Sequence, residues 1–341
     1  MPSIKIELMK KILRPLLVFF LLLTFVYVVG PKPETPKYST QLEQLNVTLE
    51  NVETFITEKE QDLPVKPGNE SKIVWEDDSL KNKTNYCLLY LHGFSASGFE
   101  GNPTHINFAR HFHANAYIPR LASHGLDVQE PLLDMTPERL YESAKEALQI
   151  AQLLGDQVII MSTSTGGTLS LKLASEFPEL IDGLIMLSPN IAINNPAAFL
   201  LSKPWGLQIG RLVTGGKYRF VNENTGDEEC RYWNCYYRME ATVYLQQLVE
   251  TTMTENTFKK VTTPVFLAYY YQDEEHQDET VRVDSMLKMY EQLGTPAEQK
   301  RKQAFNAGVH VIGCKMFSKT QPEVEQACID FASKVLQMTP Q

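Results

Sequence analysis

Val158-Ile159-Ile160-Met161-Ser162-Thr163-Ser164-Thr165-Gly166-Gly167 decides how the rest of the chain is read. Val158–Met161 is a short apolar run of the kind that forms a buried strand, and a helical pattern begins at Gly167 and runs to Glu176. A serine between such a strand and helix sits where a nucleophile elbow would be. There the chain turns so sharply that the hydroxyl stands clear of the sheet, and small residues two places before and two after the serine keep the turn from clashing. Gly166 fills the second place, and Ser162 occupies the first, where glycine is commonest. The same residues also suit a simple helix N-cap, because Ser and Thr accept hydrogen bonds from the first N–H groups of a helix.

On either side, strand and helix patterns alternate. Lys72–Trp75, Tyr86–Leu91, Ala116–Pro119, Leu184–Leu187, Val265–Tyr271 and Gln303–Asn306 read as strands. Pro137–Leu154, Val281–Leu293 and Glu323–Leu336 read as helices. The helix from Pro137 has proline near its start and Gly155 just beyond its end. Repeated units of this kind predict an α/β fold with a mostly parallel sheet covered on both faces. Residues 190–260 break the rhythm with Pro, Gly, Trp and Tyr, as an insertion would.

Two further stretches fit acyl-transfer chemistry. Leu91-His92-Gly93-Phe94-Ser95 follows an early strand. A carbonyl oxygen that turns negative during reaction needs fixed N–H donors. The residue after the nucleophile, Thr165, offers one and Phe94 the other. His92 and Gly93 would shape that loop. Downstream, Asp273 and Asp278 follow the strand at 265–271, and His310 follows the strand at 303–306. His310 would take the proton of Ser164, and an aspartate would hold the imidazole tautomer. Asp278, in Asp-x-x-Val, is the favoured acid and Asp273 the alternative; His276 stands among charges in the same loop and reads as a surface residue.

Residues 72–338 resemble the α/β-hydrolase superfamily, and most of all the branch of monoacylglycerol lipases, carboxylesterases and serine-aminopeptidase-like hydrolases. The resemblance rests on His92-Gly93-Phe94, Ser123-His124-Gly125 after Arg120-Leu121, the Ser164 elbow, the Asp278 loop and His310, in that order. Ser123 replaces the first glycine of the usual second motif. The stretch Leu42–Leu63 before Ile73-Val74-Trp75 resembles an N-terminal helix of some uncharacterised bacterial members. The resemblance implies that residues 190–260 form a cap over the nucleophile. Phe199, Leu200, Leu201, Trp205, Leu207, Tyr232, Trp233, Tyr236, Tyr237, Tyr244 and Leu245 are its candidate lining, and more than half of them are expected only to hold the cap to the core. It also implies hydrolysis of a small-molecule or lipid-like ester through a serine acyl-enzyme, with no metal or organic cofactor. A peptidase or acyltransferase on the same triad is the alternative, and a peptidase would draw on Glu223, Asp227, Glu228 or Glu229 to hold an amine. So is a membrane-tethered binding protein without turnover.

The chain has 341 residues and a formal net charge of −9. Without a basic face it is a poor partner for nucleic acid. Its oligomeric state is not legible. At the N-terminus Lys5, Lys10, Lys11 and Arg14 precede an apolar stretch from Leu16 to Val29 with no small-residue cleavage site after it. Residues 1–30 are therefore expected to be an uncleaved membrane anchor, with the catalytic part outside the cytoplasm; a cleaved signal leading to a secreted or periplasmic protein is the alternative. Residues 31–71 read as a linker and an amphipathic helix through Leu42, Leu45, Leu49, Val52 and Ile56, ended by Pro64, Pro67 and Gly68. Of five cysteines, Cys230 and Cys235 could pair in an oxidising compartment, and Cys87 reads as a buried apolar residue. His105, His111 and His113 read as a partly exposed polar helix without carboxylate partners.

Overall fold

The computed structural model describes residues 2–221 and 227–340, with side chains from Leu13 onward. Its centre is a seven-stranded sheet, in the spatial order β1 (Lys72–Val74), β3 (Asn115–Ile118), β2 (Thr84–Leu91), β4 (Gly155–Thr163), β5 (Gly183–Leu187), β8 (Val265–Tyr270) and β9 (Lys300–Phe305). Within this sheet only β1 runs antiparallel to its neighbour; β3, β2, β4, β5, β8 and β9 pair in parallel. The central strands are buried on both faces, which is why they read as continuous apolar runs. One face carries α4 (Pro137–Leu154), α5 (Thr165–Glu176) and α9 (Val283–Gln292), packed around Leu89, Leu91, Ile160 and Leu267. The other carries α3 (Thr104–His111) and α10 (Gln321–Lys334), packed around Leu88, Tyr90, Met161 and Phe266. The observed elements match the sequence expectation with ends shifted by a few residues. Gly155 departs in kind: it opens β4 rather than merely ending α4.

The expected N-terminal amphipathic helix is shorter than its apolar spacing implies. Only α2 (Val52–Glu60) is helical. Leu42, Leu45 and Leu49 still pack on the core, but from an irregular strap. Lys145 of α4, itself buried, donates to the carbonyls of Ser39 at 3.1 Å and Gln41 at 2.7 Å. The Asn51 side chain accepts the Thr48 N–H at 2.8 Å, so the polar groups of the strap are spent on contacts that a helix would forbid. The histidine expectation also needs correction, because His105 is buried on α3 while His113 bonds Glu76 at the surface.

Before the strap, α1 (Pro2–Val28) exposes its apolar side chains from Leu13 onward. Among the described residues no helix is long and apolar enough to cross a membrane, so the expected span gains no support there. Between β5 and β8 the chain forms α6 (Gly206–Val213), a small hairpin of β6 (Tyr218–Phe220) with β7 (Tyr236–Arg238), α7 (Met239–Thr252) and α8 (Glu255–Lys260). The hairpin and its flanks are closed by a Cys230–Cys235 disulfide. Cys87, Cys314 and Cys328 are free and buried.

Candidate active site

Ser164 stands at the carboxyl end of β4 with φ 54° and ψ −117°, a conformation costly for a residue with a Cβ. Three backbone bonds hold it there. Its N–H donates to Leu187 at 3.1 Å, and its carbonyl accepts the N–H groups of Gly167 at 2.9 Å and Asn190 at 2.8 Å. Although Ser164 occupies the N-cap position of α5, its side chain makes no capping bond, so the hydroxyl is not spent on the helix. Gly166 is required by space, since a Cβ there would lie 1.9 Å from the carbonyl oxygen of Leu91. Ser162 is fully buried, and its small side chain fits where the motif commonly has glycine.

The structure separates the two candidate acids. Asp278 is buried and its Oδ2 meets Nδ1 of His310 at 2.6 Å. Its Oδ1 accepts the N–H groups of Thr280 at 2.9 Å and Val281 at 3.0 Å, leaving a carboxylate fixed at both oxygens. Asp273 is exposed and bonds His276 Nδ1 at 2.8 Å, away from His310. Burial works against the charge of Asp278, yet His310 and the two N–H groups hold its pKa below the ordinary carboxylate value. Burial likewise works against a charged His310, but Asp278 and then Glu100 outweigh it and hold its pKa above the usual histidine value. Nε2 of His310 is buried with no hydrogen-bond partner among the described residues. It and Ser164 line one cavity of about 560 Å³. This is the open lone pair a general base needs, and the serine bond of such sites often tightens only around substrate.

The loop after β2 closes the cavity floor. His92 accepts the Leu121 N–H on Nε2 at 3.1 Å, which places its own proton on Nδ1, 2.9 Å from the carbonyl of Gly93. Burial and the neighbouring His124 hold His92 neutral. Phe94 and Thr165 both line the cavity. Thr165 is the first residue of α5, so its N–H has no partner within the helix. The Phe94 ring packs edge-on against Tyr237 of β7, with centroids 4.9 Å apart, tying loop to cap.

Two site residues were not read from the sequence. Asn190 fixes the Ser164 carbonyl, and its Oδ1 lacks a partner among the described residues. Glu100 is buried with Oε2 2.5 Å from the N–H of Gly93. A signal for it existed: it is the only Asp, Glu, Lys or Arg between Thr84 and Ala109.

Of the cap residues singled out in the sequence, Leu200, Leu201, Trp233, Tyr237 and Leu245 line the cavity; Phe199, Trp205, Leu207, Tyr232, Tyr236 and Tyr244 do not. Tyr232 instead stacks on Phe99 with centroids 3.8 Å apart. Val213 and Val221 line the cavity while largely exposed, so its mouth opens between apolar side chains, next to exposed Leu212 and Phe220. Among the described residues Asp227, Glu228 and Glu229 stay outside the cavity, and Glu223 lies outside the described residues. Glu229 lies close to the sulfurs of Cys230 and Cys235, but both are bound in the disulfide and offer no thiolate to a metal.

No known protein-family profile matches the chain, and no curated protein does. Solved structures do. A structure described with LipS and LipT, two metagenome-derived lipolytic enzymes, superposes with TM-score 0.61 at 17% identity, over 79% of this chain and 99% of that one. The monoacylglycerol lipase of Paleococcus ferrophilus gives 0.57 at 12%, over 79% and 98%. An esterase of Thermogutta terrifontis gives 0.52 at 16%, over 81% and 97%. At these identities the likeness establishes the architecture, and the chemistry has to be argued from the residues.

Proposed function

We propose that this chain, which has the α/β-hydrolase fold, is a serine hydrolase that cleaves carboxylic esters through an acyl-enzyme. The observation that carries the proposal is the set Asp278–His310 with a free Nε2 facing the cavity that also holds the strained Ser164. In the proposed cycle Ser164 Oγ attacks the ester carbonyl while His310 Nε2 takes its proton. Asp278 holds the ring and offsets the imidazolium charge, and the Phe94 and Thr165 N–H groups receive the oxyanion. The alkoxide departs with the proton from His310; water, activated by the same base, then releases the acid. Each step is supplied by side chains and N–H groups of this chain.

The apolar cavity and the exposed apolar residues at its mouth favour a lipid-like acyl group over a charged peptide. Among the described residues no cap carboxylate lines the cavity, since Asp227, Glu228 and Glu229 stay outside it, and this favours an ester over the free N-terminus of a peptide. We further propose attachment to a lipid surface through the exposed apolar residues of α1, with the catalytic part in an oxidising compartment where the Cys230–Cys235 bond persists. Alkaline extraction of membranes tests the attachment; release into the soluble fraction would reject it.

The function is tested by fluorophosphonate labelling and p-nitrophenyl ester turnover of the full chain beside Ser164→Ala. Labelling of the wild type alone is expected. An unlabelled but folded wild type, or a labelled alanine variant, would reject the proposal.

A further inference from the structure

Glu100 has no place in the cycle just described, yet it lies against it. The residue is only 2% exposed. Its Oε2 accepts the Gly93 N–H at 2.5 Å. A Cβ on Gly93 would lie 2.8 Å from Glu100 Oε1 and 3.0 Å from the Cβ of Ser164, so a single methyl group would span the gap between this carboxyl and the nucleophile. Among the described residues no lysine or arginine pairs with it. The titratable groups facing it are Tyr90 from β2, and His310 and Cys314 from the segment after β9; His105 of α3 follows behind the Tyr90 ring, at 4.6 Å. A charged carboxyl buried without a cation is costly, and one N–H bond from Gly93 offsets only part of that cost.

Resting on the serine-hydrolase reading, we propose that Glu100 is a positioning residue: through Gly93 it aims the Phe94 N–H into the cavity, and through its charge it sets how tightly His310 holds a proton. The mechanical part follows from the chain. Glu100 fixes the His92–Gly93 peptide through the Gly93 N–H, and His92 Nδ1, 2.9 Å from the Gly93 carbonyl, fixes the next peptide, which carries the Phe94 N–H. With both planes held, the direction of that N–H is set, and no side chain on Gly93 can do the same work. The electrostatic part follows from placement, because Glu100 and His310 line the same cavity beside Ser164. An ionised Glu100 adds a second negative charge on His310 beside that of Asp278, and it also opposes an oxyanion forming at Phe94. A neutral Glu100 keeps a carbonyl oxygen for Gly93 and removes both effects. Burial pushes its pKa up to about 7, so the change of charge falls where histidine bases work.

Two variants of the full chain separate the parts. Glu100→Gln keeps an oxygen for Gly93 and removes the charge. Its kcat for p-nitrophenyl acetate should stay within about threefold of wild type, while the acid limb of kcat/KM and the NMR titration of the His310 imidazole both move to lower pH. Glu100→Ala removes the acceptor, and kcat should fall about tenfold or more at every pH with KM little changed. A folded glutamine variant with an unmoved His310 titration would overturn the electrostatic role, and an alanine variant with wild-type kcat would overturn the mechanical one. If the wild type hydrolysed no ester, the functional reading would fall by itself, and the His310 titration would still decide whether Glu100 governs its proton.

Discussion

Residues 155–190 and residues 198–252 both border Ser164, and they are held in different ways. The first region is fixed by its backbone. Its strand registers, the three bonds on Ser164 and the contact of Gly166 with Leu91 leave no room for an extra atom. The cap is fixed chiefly by side chains: Tyr232 on Phe99, Trp233 on Phe317, Arg238 between Glu130 and Glu240, and one disulfide. Among the described residues its backbone bonds to the core run only from Asn234 to Ser95 and from Arg238 to Pro131. Backbone fixation holds groups to within tenths of an ångström, as the proposed acyl transfer would demand. Side-chain fixation tolerates exchange, which suits a surface that selects substrates. If that division is right, changes in the first region should cost rate or folding, and changes in the cap should cost selectivity.

The largest effect should come from the acid. Asp278→Asn leaves the volume unchanged but removes the charge and the tautomer control of His310, and kcat should fall about 10⁴-fold. Asp273→Asn, in the same loop but exposed, should change kcat by less than about twofold, because a surface carboxylate of this kind contributes little. Equal losses in the two variants would show that the loop acts as a whole.

Two glycines sharpen the comparison through stability. Gly166→Ala drives a Cβ to 1.9 Å from a backbone oxygen that cannot retreat, and should cost about 3 kcal/mol or more. Gly215, in the cap, has φ +73° but nothing within 4 Å of its would-be Cβ. Gly215→Ala therefore meets only conformational strain, about 1 kcal/mol. Thermal unfolding of both checks the order, and a larger drop for Gly215→Ala would contradict the division.

The same asymmetry governs how much could be read without coordinates. That Ser164, His310 and the acid loop stand at strand ends, where the structure gathers them around one cavity, was legible because strands announce themselves through apolar runs. The choice between Asp278 and Asp273 was not settled by sequence, since both lie in one loop and only burial separates them. The spacing of Leu42, Leu45 and Leu49 satisfied a helix, yet an irregular strap can bury the same residues when a distant lysine supplies its hydrogen bonds. Cys230 and Cys235 could have stayed free; five residues of separation allow a bond and do not demand one. Glu100 was missed because its partner, the Gly93 N–H, carries no side chain to mark it.

Glu100 also gives the backbone-fixed region a pH dependence of its own. Its pKa is about 7 when folded against an ordinary value of 4.5. Between these values the folded chain keeps a proton that the unfolded chain releases, so this group makes stability fall as pH rises through that window and levels off above it. Glu100→Gln lacks the effect. Its stability relative to wild type should rise by up to about 3 kcal/mol between pH 4.5 and pH 8, measured by urea unfolding. A constant difference across that range would mean that the carboxyl stays charged when buried.

The smallest effect should belong to the cap. Leu201 lines the cavity but is only partly buried, so Leu201→Phe narrows the acyl space while disturbing little packing. The ratio of kcat/KM for p-nitrophenyl octanoate to that for the acetate should drop about tenfold, the scale on which apolar pockets discriminate by size. The acetate rate and the melting temperature should stay near wild type, because a two-carbon acyl group need not reach Leu201 and the residue contributes little to the core. If both esters slow together, Leu201 acts on the elbow rather than on the acyl chain. The cap would then share the backbone's intolerance, and selectivity would have to be sought at the apolar mouth between Val213 and Val221.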